Sequence, residues 1–159
     1  MKRFKKFVAV LLACVMALTL LTACGGGGGS SSAATEKAVG QQLTESINKK
    51  LSTNLAYDEN LGPRFATAIN AAAAAGQKFD NINEAGAAID LILEQAGFGD
   101  DTQVASTVAQ KGNSVDVVAS GLASSIKSKN YKTANKKIGY ASSKLNVEGD
   151  YYIIWAVIE

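Results

Sequence analysis

Histidine is absent from this 159-residue chain, and its two cysteines, Cys14 and Cys24, both fall within the first 24 positions. Without imidazole there is no general base poised near neutral pH, no Ser-His-Asp or Cys-His nucleophile system and no access to the commonest zinc ligand. Without a thiol beyond Cys24, the rest of the chain can close no disulfide. The chain's formal net charge of +2 reflects its first six residues alone, and beyond them a cationic excess is missing as well. Four of the 16 Lys and Arg residues sit at the extreme N-terminus, which leaves 12 against 14 Asp and Glu over the remainder. Nucleic-acid binding therefore lacks its electrostatic motive. Nor is there a run long enough to span a bilayer comfortably. The uncharged stretch Phe7 to Leu21 would rise only about 22 Å as a helix, against a hydrocarbon core of roughly 30 Å.

What that stretch does form is the middle of an export signal. Lys2, Arg3, Lys5 and Lys6 precede it, and Ala23 and Cys24 follow before the chain turns to Gly25 to Gly29. Leu21-Thr22-Ala23-Cys24 resembles the lipobox of bacterial lipoproteins: an aliphatic residue, a small residue or threonine, Ala or Gly, then the modified cysteine. The resemblance implies cleavage after Ala23 and diacylation of Cys24. Two acyl chains hold a protein stably on a membrane where one leaves it exchanging. Residues 1–23 are thus expected to be a signal peptide, and Cys24 the lipidation site. The Gly- and Ser-rich residues 24–35 have nothing to bury and are expected to be a flexible tether.

Residues 36–159 are of a common size for one domain. Thr35 as N-cap and Val39, Leu43, Ile47 and Leu51 at spacing four predict a helix over 36–51. A loop over 52–60 should turn Leu55 and Tyr57 inward. Gly62 and Pro63 open a second helix, which carries Phe65, Ile69 and the run Ala71 to Ala75 and stops at Gly76. Asn81 and Glu84 have capping-box spacing ahead of a third helix ending near Gly97. Val104 to Ala109 alternates as a strand, Ser114 can cap a fourth helix with Val115, Val118, Leu122 and Ile126 inward, and Lys136 to Leu145 with Tyr151 to Ile158 reads as a hairpin. The last run is apolar on both faces, which calls for helices above and below it.

This order resembles the CAP superfamily, the cysteine-rich secretory and pathogenesis-related domains. Tyr57-Asp58-Glu59-Asn60-Leu61 is similar to the family's aromatic-Asp-x-x-Leu step, Phe79 to Phe98 to its mid-domain helix, and Ile138-Gly139-Tyr140-Ala141 with Tyr151-Tyr152-Ile153-Ile154 to its closing strands. The resemblance implies an α+β fold, an α-β-α sandwich of about four helices around a small three-stranded antiparallel sheet. The family characteristically places two histidines and two acidic residues in its cavity. Here Val104 to Val108 contains no carboxylate, and Asn130 and Tyr131 stand near the expected His-Arg pair. Metal binding does not carry over, and no cofactor is implied.

Ser124-Ser125-Ile126-Lys127 has the Ser-x-x-Lys spacing of penicillin-recognising enzymes, but the companion Ser-Asp-Asn and Lys-Thr-Gly patterns are missing, and a helix rich in Ser and Lys produces the spacing by chance. The adjacent acids Asp58-Glu59 and Asp100-Asp101 lack calcium-loop spacing and suit caps and turns. Lys127, Lys129, Lys132, Lys136 and Lys137, followed by Lys144, form a stretch without an acid. On a tethered protein they offer a membrane-facing set for anionic headgroups or wall polymers, and otherwise a solvated edge with protective lysines. Tyr140, Tyr151, Tyr152 and Trp155 are candidates for a ligand groove or for core. The expectation is an extracytoplasmic module, lipid-anchored at the cell membrane, that binds an envelope glycan, lipid or protein without catalysis; the alternatives are an envelope hydrolase using Ser or carboxylate groups and a purely structural lipoprotein.

Overall fold

The computed structural model describes residues 30–76, 81–83 and 88–159. The expected leader, Cys24 and the glycine run lie outside them, as does Glu84 of the capping box. Helix α1 (Ser30–Leu51) leads to the short strand β1 (Ala56–Tyr57), then α2 (Leu61–Ala74), α3 (Ile89–Gln95), β2 (Gln103–Gln110), α4 (Val115–Ser128), β3 (Lys137–Lys144) and β4 (Tyr151–Ile158). The fold is mixed α+β, with these four helices around a four-stranded sheet of order β1-β3-β4-β2.

Two expectations are corrected. Residues 30–35, read as tether, are the first turns of α1. Ala33 and Ala34 favour helix, and extending a packed helix costs far less than starting one. The sheet has four strands rather than three, because β1 joins β3 in parallel, with Ala56 opposite Lys137 and Tyr57 opposite Ile138. A two-residue strand has no periodicity to read. It is held by tertiary bonds from Ala56 N–H to the Lys136 carbonyl (3.0 Å) and from Asp58 N–H to the Ile138 carbonyl (2.9 Å).

Alternation along β4 divides the core. Ile154, Ala156 and Ile158 pack with Val39, Leu43 and Ile47 of α1 and Val118, Leu122 and Ile126 of α4. Ile153, Trp155 and Val157 pack on the opposite face with Phe65 and Ile69 of α2 and Ile92 of α3. Phe65 stands edge-on to both Trp155 (5.9 Å between ring centres) and Phe98 (6.1 Å). The outer edge of β2 carries no charge that would deter pairing with another chain, and its backbone is capped instead. The Val104 carbonyl accepts from the Tyr131 hydroxyl (2.9 Å), Ser106 N–H donates to Ser125 Oγ (3.3 Å) and Gln110 N–H donates to Asn113 Oδ1 (2.8 Å).

Candidate functional site

Helices α1 and α4 end at the same pole of the domain. Each closes on a residue in the left-handed region, Ser52 (φ 52°) and Asn130 (φ 53°). Thr53 N–H then returns to the Asn48 carbonyl and Tyr131 N–H to the Ile126 carbonyl, 3.1 Å each, which satisfies helix-terminal acceptors. The two loops that leave the helices are laced together. Thr53 Oγ1 donates to Thr133 Oγ1 (2.8 Å), Asn54 Nδ2 donates to Asn135 Oδ1 (2.8 Å), and Asn135 N–H donates back to Asn54 Oδ1 (3.0 Å). Asn48 holds Leu55 through both its amide atoms, at 2.9 Å each.

Between these helix ends lies a recess of about 250 Å³ lined by Lys50, Leu51, Ile126, Lys127, Asn130, Tyr131 and Thr133. Its floor is aliphatic and aromatic, and its rim carries ammonium, amide and hydroxyl groups. The Tyr131 ring is fixed by its hydroxyl bond to Val104, and Lys129 Nζ stands 5.5 Å from the ring centre while donating to the same carbonyl (3.3 Å). A second recess, about 340 Å³, lies between α2 and α3 against Arg64, Thr67, Ala68, Ala71, Gln95 and Ala96. There the guanidinium is already committed: Nε donates to the Ala96 carbonyl (3.1 Å), a terminal nitrogen donates to the Gly97 carbonyl, and the group stacks 4.0 Å over Phe98. The Thr67 hydroxyl donates to the Pro63 carbonyl (2.9 Å). Arg64 thus locks the end of α3 and Thr67 is satisfied within α2, so neither is left to orient a ligand.

The lysine stretch is less bare in space than in sequence. Lys136 pairs with Asp101 (2.8 Å), Lys137 with Asp58 (3.1 Å) and Lys144 with Asp150 (3.7 Å), while Lys50 pairs with Asp116 (2.9 Å). The ammonium of Lys136 holds the Asp101 carboxyl below the usual carboxylate range, and Lys50, with Ser46, does the same for Asp116. Asp58 is lowered first by the N–H of Asn60 and then by Lys137. Lys127 and Lys132 form no ion pair among the described residues.

The other candidates scatter. Ser124 and Lys127 are exposed on α4, whereas Ser125 turns to the sheet and bonds Ser106. Glu59 pairs with Lys37 (2.8 Å) across the surface. Neither recess is lined by a carboxylate, and among the described residues no three acidic, histidine or cysteine side chains gather as a metal would require. Trp155 and Tyr140 are core. The Tyr140 hydroxyl meets Thr44 Oγ1 at 2.9 Å, its ring stacks on Tyr57 at 6.2 Å, and burial pushes its phenol well above the usual range. Sequence reasoning missed Thr44, Lys50 and the Thr53–Thr133 and Asn54–Asn135 pairs. For Thr44 a signal existed: Gly40 and Thr44 put small residues, four apart, beside the apolar stripe of α1, which leaves room for a large partner. For the loop pairs none existed, since the partners are about eighty positions apart.

No family model matches the chain, and neither a curated protein nor a solved structure matches it.

Proposed function

We propose that the chain is a bacterial lipoprotein, anchored through diacylated Cys24 on the outer side of the cell membrane, whose globular domain binds an envelope component without transforming it. The scaffold of this reading is a divergent, histidine-free CAP-like α-β-α sandwich. Helical packing on both faces of the sheet is compatible with it.

The observation that carries the binding role is the position of the lined recess. It lies at the C-terminal end of α1, and the 22 residues of that helix rise about 33 Å from Ser30. From Cys24 to Ser30 six peptide steps reach at most about 20 Å. A domain standing on that linker holds Lys127, Lys129 and Lys132 away from the bilayer, towards envelope polymers. The same lysines reach headgroups only when α1 lies flat or tips its far end down towards the membrane.

Two measurements test the reading. Radiolabelled palmitate should enter the full chain and fail to enter the Cys24→Ala variant. The full chain in detergent should retain one specific glycan, lipid or protein from envelope extract. Labelling that survives Cys24→Ala would remove the anchor, and turnover of the retained component would remove the non-catalytic role.

A further inference from the structure

We infer that the recess between the C-terminal ends of α1 and α4 is a subsite for one sugar ring bearing a single anionic substituent, a carboxylate or a phosphate. This inference rests on the envelope-binding reading and specifies its ligand. At about 250 Å³ the recess is smaller than the roughly 300–1,000 Å³ clefts that take drug-sized molecules. One ring fits it. Sugar rings present an apolar C–H face and a rim of hydroxyls, and the lining repeats that division. The Tyr131 ring, Leu51 and Ile126 supply an apolar floor, and Asn130, Thr133 and Lys127 supply polar groups at the edge.

Those polar groups are free to act. The Asn130 side-chain amide has no hydrogen-bond partner among the described residues, and only its backbone N–H is used, in closing the helix. Thr133 Oγ1 accepts from Thr53, so its own proton remains available to a ligand oxygen. The site is also preformed. The laced loops fix Thr133, and the Val104 carbonyl fixes the Tyr131 ring, so little ordering cost attends binding.

The charge is specified by elimination. The ends of two helices turn carbonyls toward this pole, which favours cations and gives no help to an anion. Lys50 is shared with Asp116, and Lys129 leans on the Val104 carbonyl. Lys127 remains, exposed on the rim and unpaired among the described residues. One unshared ammonium selects one negative group on the ligand. At an exposed site such a pair contributes up to about 1 kcal/mol, or about fivefold in affinity.

The test is a titration of the full chain in detergent micelles, read by the NMR shifts of the Tyr131 ring and the Asn130 side-chain amide, with glucuronate, glucose 6-phosphate, glucose and inorganic phosphate as probes. Saturable shifts with either acidic sugar, about fivefold weaker with glucose, are expected. Whichever acidic sugar binds more tightly names the substituent. Lys127→Gln should bring the acidic sugars down to glucose, and Asn130→Gly, which keeps the left-handed backbone, should weaken all the sugars alike; unchanged melting temperatures certify both folds. Shifts with phosphate equal to those with the sugars would make this an anion site and overturn the sugar. An absence of saturable shifts with every sugar, or Lys127-dependent binding to phosphatidylglycerol vesicles in their place, would overturn the subsite. Either failure is distinct from failure of the broader envelope-binding role, which stands or falls with the palmitate labelling and the retention from envelope extract.

Discussion

The first turn of α2 rests backbone against backbone on β3 through Gly62 and Gly139. A Cβ on Gly139 would stand 2.6 Å from the Gly62 nitrogen, and a Cβ on Gly62 would stand 2.9 Å from the Tyr140 carbonyl carbon and closer still to its oxygen. The β3 backbone is held here by β4, with Gly139 opposite Val157 and Tyr140 opposite Ala156, so any relief must come from moving α2. Gly62→Ala is therefore expected to destabilise the domain by about 3 kcal/mol, at the upper end of overpacking costs. Denaturant unfolding measures it. A loss below about 1 kcal/mol, the lower end of such costs, would mean that α2 can ride off the sheet.

Thr44 and Tyr140 share the buried hydroxyl contact that ties α1 to β3, and Thr44 Oγ1 also donates to the Gly40 carbonyl (2.9 Å). Thr44→Val strands the phenol and should cost about 1–3 kcal/mol. Tyr140→Phe in the same background should recover part of that loss. A double-mutant cycle with no coupling would show that the two hydroxyls do not bond.

Alkaline unfolding should report the same phenol. The folded chain holds the Tyr140 proton more tightly than the unfolded chain does, so the contribution is complete below about pH 10 and declines as pH rises beyond it. Tyr57 shifts in the same direction, through burial and then the charges of Glu59, Glu36 and Asp58. The melting temperature should fall above about pH 10, and Tyr140→Phe should flatten the fall.

On the acid side the sign reverses. Asp58 is lowered in the folded chain, so its contribution is present above the ordinary carboxylate pKa of about 3.9 and is lost progressively below it, as pH falls through the lower value of the folded chain. Asp58→Asn should blunt the loss of stability below about pH 4 more than Lys137→Gln does, because the Asn60 N–H (2.9 Å) is the larger cause. Equal blunting by the two variants would make the ion pair dominant.

Arg64 joins α2 to the end of α3 by bonding two carbonyls while stacking on Phe98. An ammonium cannot combine fork geometry with ring stacking. Arg64→Lys should therefore destabilise nearly as much as Arg64→Ala, by about 1–2 kcal/mol. Full rescue by lysine would reduce the role to charge alone.

Much of the architecture is legible along the chain because it rests on local periodicity. The spacing of Val39, Leu43 and Ile47, the Ser114 cap whose hydroxyl accepts from Val117 N–H at 3.4 Å, the stop at Gly76 (φ 95°) and the doubly apolar β4 all describe elements as they stand. The start of α1 and the existence of β1 were not legible. A Ser- and Ala-rich lead-in is neutral until a packed helix extends into it, and two residues become a strand only when β3 offers them a partner.

For the candidate site the division is sharper. The sequence by itself determined which chemistries the chain lacks, since the absence of histidine and of any thiol after Cys24 holds in every conformation. It also placed the helical and strand stripes, because side-chain period follows from backbone geometry alone. Only the tertiary structure decided that Asp101, Asp58 and Asp150 come to rest against a lysine stretch that looks uncompensated in sequence. It alone brought Lys50 and Leu51 of α1 beside Lys127, Asn130 and Tyr131 around one recess. Charge pairing and cavity lining depend on distances of a few ångströms between segments far apart along the chain, and those distances exist only once the helices have packed on the sheet.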